Sequence, residues 1–73
     1  MKLRVNGQER ILDQRLNTVG QVLDYFGVPW VRAAVELNEE VVEPGLFDTT
    51  PVRDDDKIEI VSFVGNILSS KRR

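Results

Sequence analysis

One helical stripe, and only one, interrupts a chain otherwise patterned for strands. Val19, Val22, Leu23 and Phe26 fall at i, i+3, i+4 and i+7, which puts four apolar side chains on one face of an α-helix. Thr18 stands before the stripe with Gln21 three residues on, the spacing of a capping box. Gly27 follows the last apolar position and Pro29 blocks continuation, so both ends are written locally. In 73 residues a lone amphipathic helix has one means of burying its face, which is to lie across a sheet. The stripe is therefore assigned to the core rather than to a partner's groove.

The rest of the chain supplies that sheet. Met1, Leu3 and Val5 alternate with Lys2, Arg4 and Asn6, the period of two of a half-buried strand. Asn6-Gly7 tolerates the positive φ angles of a type I′ turn, so residues 8–12 return antiparallel. After the helix, Ala33 to Leu37 and Glu40 to Glu43 read as two short strands around Asn38-Glu39. Pro44-Gly45 breaks the second. Leu46 to Val52 is irregular, with Leu46, Phe47 and Val52 expected to fold back on the core. Arg53 to Asp56 is a polar turn, and Lys57 to Val64 is the last strand, expected beside the first and parallel to it. The sum is an α+β two-layer domain with a mixed four- to five-stranded sheet and one main helix packed on one face.

Composition narrows function more than fold. The chain has no histidine and no cysteine, so the usual general base near neutral pH, the thiolate nucleophile and the commonest metal ligands are missing. Enzymatic activity is not expected, and no cofactor is expected. Three of the basic residues are Lys71, Arg72 and Arg73; the body before them holds seven basic against 12 acidic side chains. An acidic body argues against nucleic acid as partner and suits a protein with a basic docking surface. No apolar run approaches the roughly 20 residues of a membrane span, and Met1 leads directly into a strand pattern, so the expected location is cytoplasmic with no membrane partner. Asp54, Asp55 and Asp56 lack the spaced pattern of a calcium loop and read as a solvated turn, as do Glu39, Glu40 and Glu43. Trp30, after Pro29, is placed as a cap on the open end of the core, with an interface anchor as the other reading.

Several of these segments, taken in order, resemble the ThiS family of ubiquitin-like sulfur carriers. They are Met1-Lys-Leu-Arg-Val-Asn-Gly7, Thr18-Val19 with Val22-Leu23, Ala34-Val35-Glu36-Leu37-Asn38, Val41-Val42, and Asp56-Lys-Ile-Glu-Ile-Val61 running on to Ser-Phe-Val-Gly65. The resemblance implies a ubiquitin-like β-grasp fold over residues 1–65; past Val64 the strand pattern stops and the ending turns polar and basic, so a flexible tail is expected over 66–73. It also implies a protein cosubstrate whose C-terminal glycine carboxylate is adenylated by an E1-like ThiF-type enzyme with ATP and converted to a thiocarboxylate. The sulfur would then pass to the thiazole synthase ThiG for the thiazole ring of thiamin. A MoaD-type carrier of molybdopterin synthesis shares that fold and ending, and a β-grasp interaction module without sulfur chemistry is the reading from another class.

The ending departs from the family pattern. Gly65 stands where the glycine pair should begin, Asn66 replaces the second glycine, and Ile67 to Arg73 follow. A glycine pair leaves a tail slim enough to enter a narrow channel. Residues 66–73, fully extended, would add roughly 26–28 Å. Loss of carrier chemistry, processing near Gly65 and an altered ending are three ways to account for this. Partner docking is expected on the last strand. Its period of two sets Ile58 and Ile60 towards the helix and leaves Val61 and Phe63 opposite, next to Val64 and the tail.

Overall fold

The computed structural model describes residues 1–63. Val64, Gly65 and the tail expected from residue 66 lie outside them. The elements are β1 (Lys2–Val5), β2 (Gln8–Ile11), α1 (Val19–Tyr25), a 3-10 turn at Trp30–Arg32, β3 (Ala33–Leu37), β4 (Glu40–Val42), a second 3-10 turn at Pro44–Leu46, and β5 (Lys57–Ser62). They form one five-stranded sheet in the order β2-β1-β5-β3-β4. β5 runs parallel to β1, with Arg4 opposite Lys57 and Val5 opposite Ile58; the other pairings are antiparallel. The last strand thus fills the centre of the sheet, and the architecture is the ubiquitin-like β-grasp.

Local chemistry explains where each element stops. At the first hairpin Asn6 and Gly7 take φ of 50° and 82°, the two positive values of a type I′ turn. Thr18 adopts extended backbone and its Oγ1 accepts the amide of Gln21 at 3.2 Å. The reciprocal half of the capping box is displaced by one residue, because Gln21 Oε1 accepts from the amide of Asn17 at 2.7 Å. At the other end Gly27, at φ 72°, donates to the carbonyl of Asp24 and Val28 to that of Leu23, which is a Schellman motif.

The irregular segment between β4 and β5 closes the remaining donors of the helix. The Val19 amide donates to Thr50 and that of Gly20 to Phe47, at 2.9 and 2.7 Å, while Val52 donates to the carbonyl of Asn17. A seven-residue helix is marginal by itself; this strap and the sheet hold it. Leu3, Val19, Val22, Leu23, Phe47 and Ile58 are fully enclosed between helix, strap and sheet.

Two apolar positions depart from the expectation. Phe26 caps the helix and is only half-buried, its ring covered by the Arg10 guanidinium at 5.1 Å. Periodicity locates a helix face but not the point where that face emerges from the core. Leu46, expected to fold inward with Phe47 and Val52, is 52% exposed because the 3-10 turn at Pro44–Leu46 points it outward. Trp30 caps the core as expected. Its ring meets Phe47 edge-on at 6.1 Å, and its indole N–H donates to Asp24 Oδ1 at 2.9 Å.

Candidate docking face

The sheet has one face under the helix and one without a cover among the described residues. Along β5 the side chains alternate: Ile58 is completely buried, whereas Val61 and Phe63 are 56% and 57% exposed. Register brings them neighbours. Val61 lies opposite Ala34, Glu59 opposite Glu36, and Val41 of β4 opposite that same Glu36. The Phe63 amide donates to the carbonyl of Arg32, which continues the pairing one step past β5. Ala34, Glu36, Val41, Glu59, Val61 and Phe63 line a shallow, largely apolar groove of about 350 Å³.

Among the described residues nothing on the helix side folds over to cover this groove. Phe47 is fully buried in the core, Trp30 packs on Phe47, and Leu46 lies with Leu37, Val41 and Thr50 beyond the β4 edge. Apolar side chains gathered on an open face beside polar ones mark a surface that can take a partner. The sequence reading named Val61 and Phe63 for this face; Val64 and Gly65 lie outside the described residues. It missed Ala34, Val41 and the two glutamates, since their proximity comes from strand register, which no local pattern specifies.

The other charged clusters are occupied within the fold. Asp54 Oδ1 accepts the Lys2 amide at 3.0 Å and its Oδ2 accepts from Arg15 Nη1 at 3.1 Å; together these hold its carboxyl below the ordinary carboxylate value. Asp55 pairs with Lys2, and this partnership raises the lysine. Asp56 Oδ2 accepts the Arg53 amide and its Oδ1 accepts from Asn38. The run Asp54-Asp55-Asp56 is therefore a turn clasp joining β1 to β5. Lys57 and Glu39 form an ion pair at 2.6 Å, the tightest among the described residues, which raises the lysine and lowers the glutamate. The three ion pairs among the described residues are exposed, so each contributes little to stability. Among the described residues no three His, Cys, Asp or Glu side chains converge as for a metal ion, and no helix is long and apolar enough to cross a membrane.

Comparison with known proteins agrees with this architecture. The profile described as the ThiS family matches residues 3–65. The chain is similar to the crystal structure of a thiamine biosynthesis protein (ThiS) from Geobacter metallireducens, at TM-score 0.77 and 37% identity, over 90% of this chain and 99% of that one. The solution structure of a thiamine biosynthesis protein from the same organism superposes at TM-score 0.78 with 34% identity, over 99% and 95% of the two chains. A thiazole synthase of Paramagnetospirillum magneticum is 42% identical over 65 residues, which are 89% of this chain and 20% of that protein. The chain thus spans about a fifth of that relative.

Proposed function

The chain belongs to the ThiS family, and from that premise we propose that it is a sulfur carrier protein of thiazole formation in thiamin biosynthesis. It acts as a protein cosubstrate and not as an enzyme. A ThiF-type enzyme joins a terminal glycine carboxylate to the α-phosphate of ATP, releasing pyrophosphate. Sulfide then displaces AMP to leave the thiocarboxylate, and a ThiG-type thiazole synthase takes the sulfur. The observation that carries this reading is the family match over residues 3–65, which ends on Gly65, the position where the family's glycine ending begins. Gly65 is accordingly assigned to the start of that glycine ending, and it presents a reacting carboxylate only once the Gly65–Asn66 peptide bond is hydrolysed. Val61, Phe63 and Val64 are assigned to docking, supported by the exposed side of β5 for the first two.

The second reading is a β-grasp interaction module that keeps the docking face without sulfur chemistry. Asn66, in place of the second glycine, is what favours it. Intact mass spectrometry separates the two. The 73-residue chain and a chain ending at Gly65 are each incubated with a ThiF-type enzyme, ATP and a sulfur donor. Carrier chemistry raises the mass by the exchange of one oxygen for sulfur in at least one of them. No mass change in either, with the enzyme active on another ThiS protein, rejects the carrier reading and leaves the interaction module.

A further inference from the structure

The groove on the open face contains a feature that docking by apolar contact alone does not use. Glu36 and Glu59 are directly opposite each other across β3 and β5. Both are exposed. Side chains opposed in this way sit with their Cβ atoms about 5 Å apart, and like charges so placed destabilise a sheet. Lys57 is two residues along the same side of β5, but its ammonium is bound to Glu39 at 2.6 Å. Neither Glu36 nor Glu59 has an ion-pair partner among the described residues. The two carboxylates stand beside Ala34, Val41 and Val61, at the polar end of an otherwise apolar groove.

We propose that Glu36 and Glu59 together form the receptor for a cationic side chain of the thiazole synthase, an arginine or lysine presented between apolar residues that fill the groove at Val41, Val61 and Phe63. This rests on the sulfur-carrier reading and adds the residues that select the partner. One cation between the two carboxylates removes their mutual repulsion and gains two charge-assisted hydrogen bonds, and a planar guanidinium can reach both. The surrounding apolar contact excludes water and strengthens the pairing. The synthase is the chosen occupant because the Paramagnetospirillum relative carries a segment like this chain within a protein named as a thiazole synthase. A segment similar to this chain thus occurs in one polypeptide with that name.

The test is titration calorimetry of the full chain against a ThiG-type thiazole synthase from the same source, at low and high salt. The variants are the double Glu36→Gln/Glu59→Gln and, separately, Phe63→Asp. The double variant is expected to bind about tenfold more weakly or worse, and its affinity should lose the salt dependence of the parent protein. Its melting temperature should not fall, because the opposed charges are gone. Unchanged affinity and unchanged salt dependence in the double variant, while Phe63→Asp still weakens binding, overturns the cation receptor and leaves the docking face standing. A parent protein that does not bind the synthase at all rejects the reading beneath it as well. A parent protein that sediments as a dimer, and a double variant that sediments as a monomer, overturns the proposal in favour of a second copy of this chain.

Discussion

β5 has two sides, and they differ as much as any two regions of the molecule. On the side facing the helix, Ile58 is completely enclosed and contacts the cluster that includes Leu3, Val22 and Leu23. On the other, Val61 and Phe63 keep more than half of their surface in water next to the Glu36–Glu59 pair. The strand separates two tasks that its period of two allows it to carry at once. Stability depends on the inner side, where each apolar group removed from water contributes to a small core. Recognition depends on the outer side, where apolar groups stay in water until a partner arrives. Substitutions on the two sides should therefore fail in different assays.

The largest effect is expected on the inner side. Leu23 is completely buried, so Leu23→Ala should lose about 2–5 kcal/mol in chemical denaturation, most of the stability of a domain this small. A loss below about 1 kcal/mol would break the comparison, since it would mean that the helix face does not carry the fold. Gly20 is a subtler probe of the same layer. A Cβ there would come within 2.6 Å of Trp30 Cη2 and 3.2 Å of the Phe47 carbonyl. The indole cannot swing away freely, because its N–H is held by Asp24. Gly20→Ala should cost about 1–3 kcal/mol through this overpacking, although alanine is the better helix former. A stabilised Gly20→Ala protein would show that Trp30 moves aside without cost and is not a fixed cap.

On the outer side the expected signature is reversed. Phe63→Asp should leave the denaturation midpoint near that of the parent, since the side chain is 57% exposed. It should weaken binding to a ThiF- or ThiG-type partner by at least about 1.5–2 kcal/mol, as loss of an aromatic anchor does at the centre of an interface. Unchanged affinity with the fold verified removes Phe63 from the docking site. An unfolded variant would show instead that Phe63 belongs to the core, and the two sides would no longer be distinct.

The sequence disclosed the two sides unequally, for a physical reason. Thr18, Gln21 and Gly27 mark the ends of the helix through bonds within a few residues, so the element could be read with its caps. The same holds for the Asn6-Gly7 turn. The inner side followed from periodicity, with Phe26 misplaced because a repeat does not tell where a face leaves the core, and Leu46 misplaced because its irregular segment has no repeat to orient it. On the outer side, Val61 and Phe63 followed from alternation along one strand. Their neighbours did not. Ala34 and Glu36 reach them through pairing of β3 with β5, and Val41 is brought alongside by the Asn38-Glu39 turn, where both residues take positive φ, of 51° and 72°. A glutamate is uncommon in that conformation, so composition carried only half of the turn signal. The identity of the family came from an ordered set of segments, none of which is decisive when taken singly.

The smallest expected effect tests the seam that keeps the two sides apart. A slip of one residue between β1 and β5 would turn Ile58 outward and Val61 and Phe63 inward. The turn clasp resists that slip: Asp54 Oδ1 accepts the Lys2 amide, and the Asp55 amide donates to the Lys2 carbonyl at 2.7 Å. The Lys2 amide first, and then Arg15, holds the Asp54 carboxyl below its ordinary value. A carboxyl depressed in the folded state contributes stability that is present above its unfolded pKa, near 4, and is lost as pH falls through the lower folded value. Asp54→Asn keeps an oxygen for the Lys2 amide but removes the charge. Its stability should therefore be slightly lower than the parent's at neutral pH, and the difference should close as both are acidified below the folded pKa. Denaturant melts across the acid range measure this directly. A gap of constant size down to the acid limit would show that the Asp54 charge is not coupled to folding, and that the register rests on the backbone pairing of β1 and β5 alone.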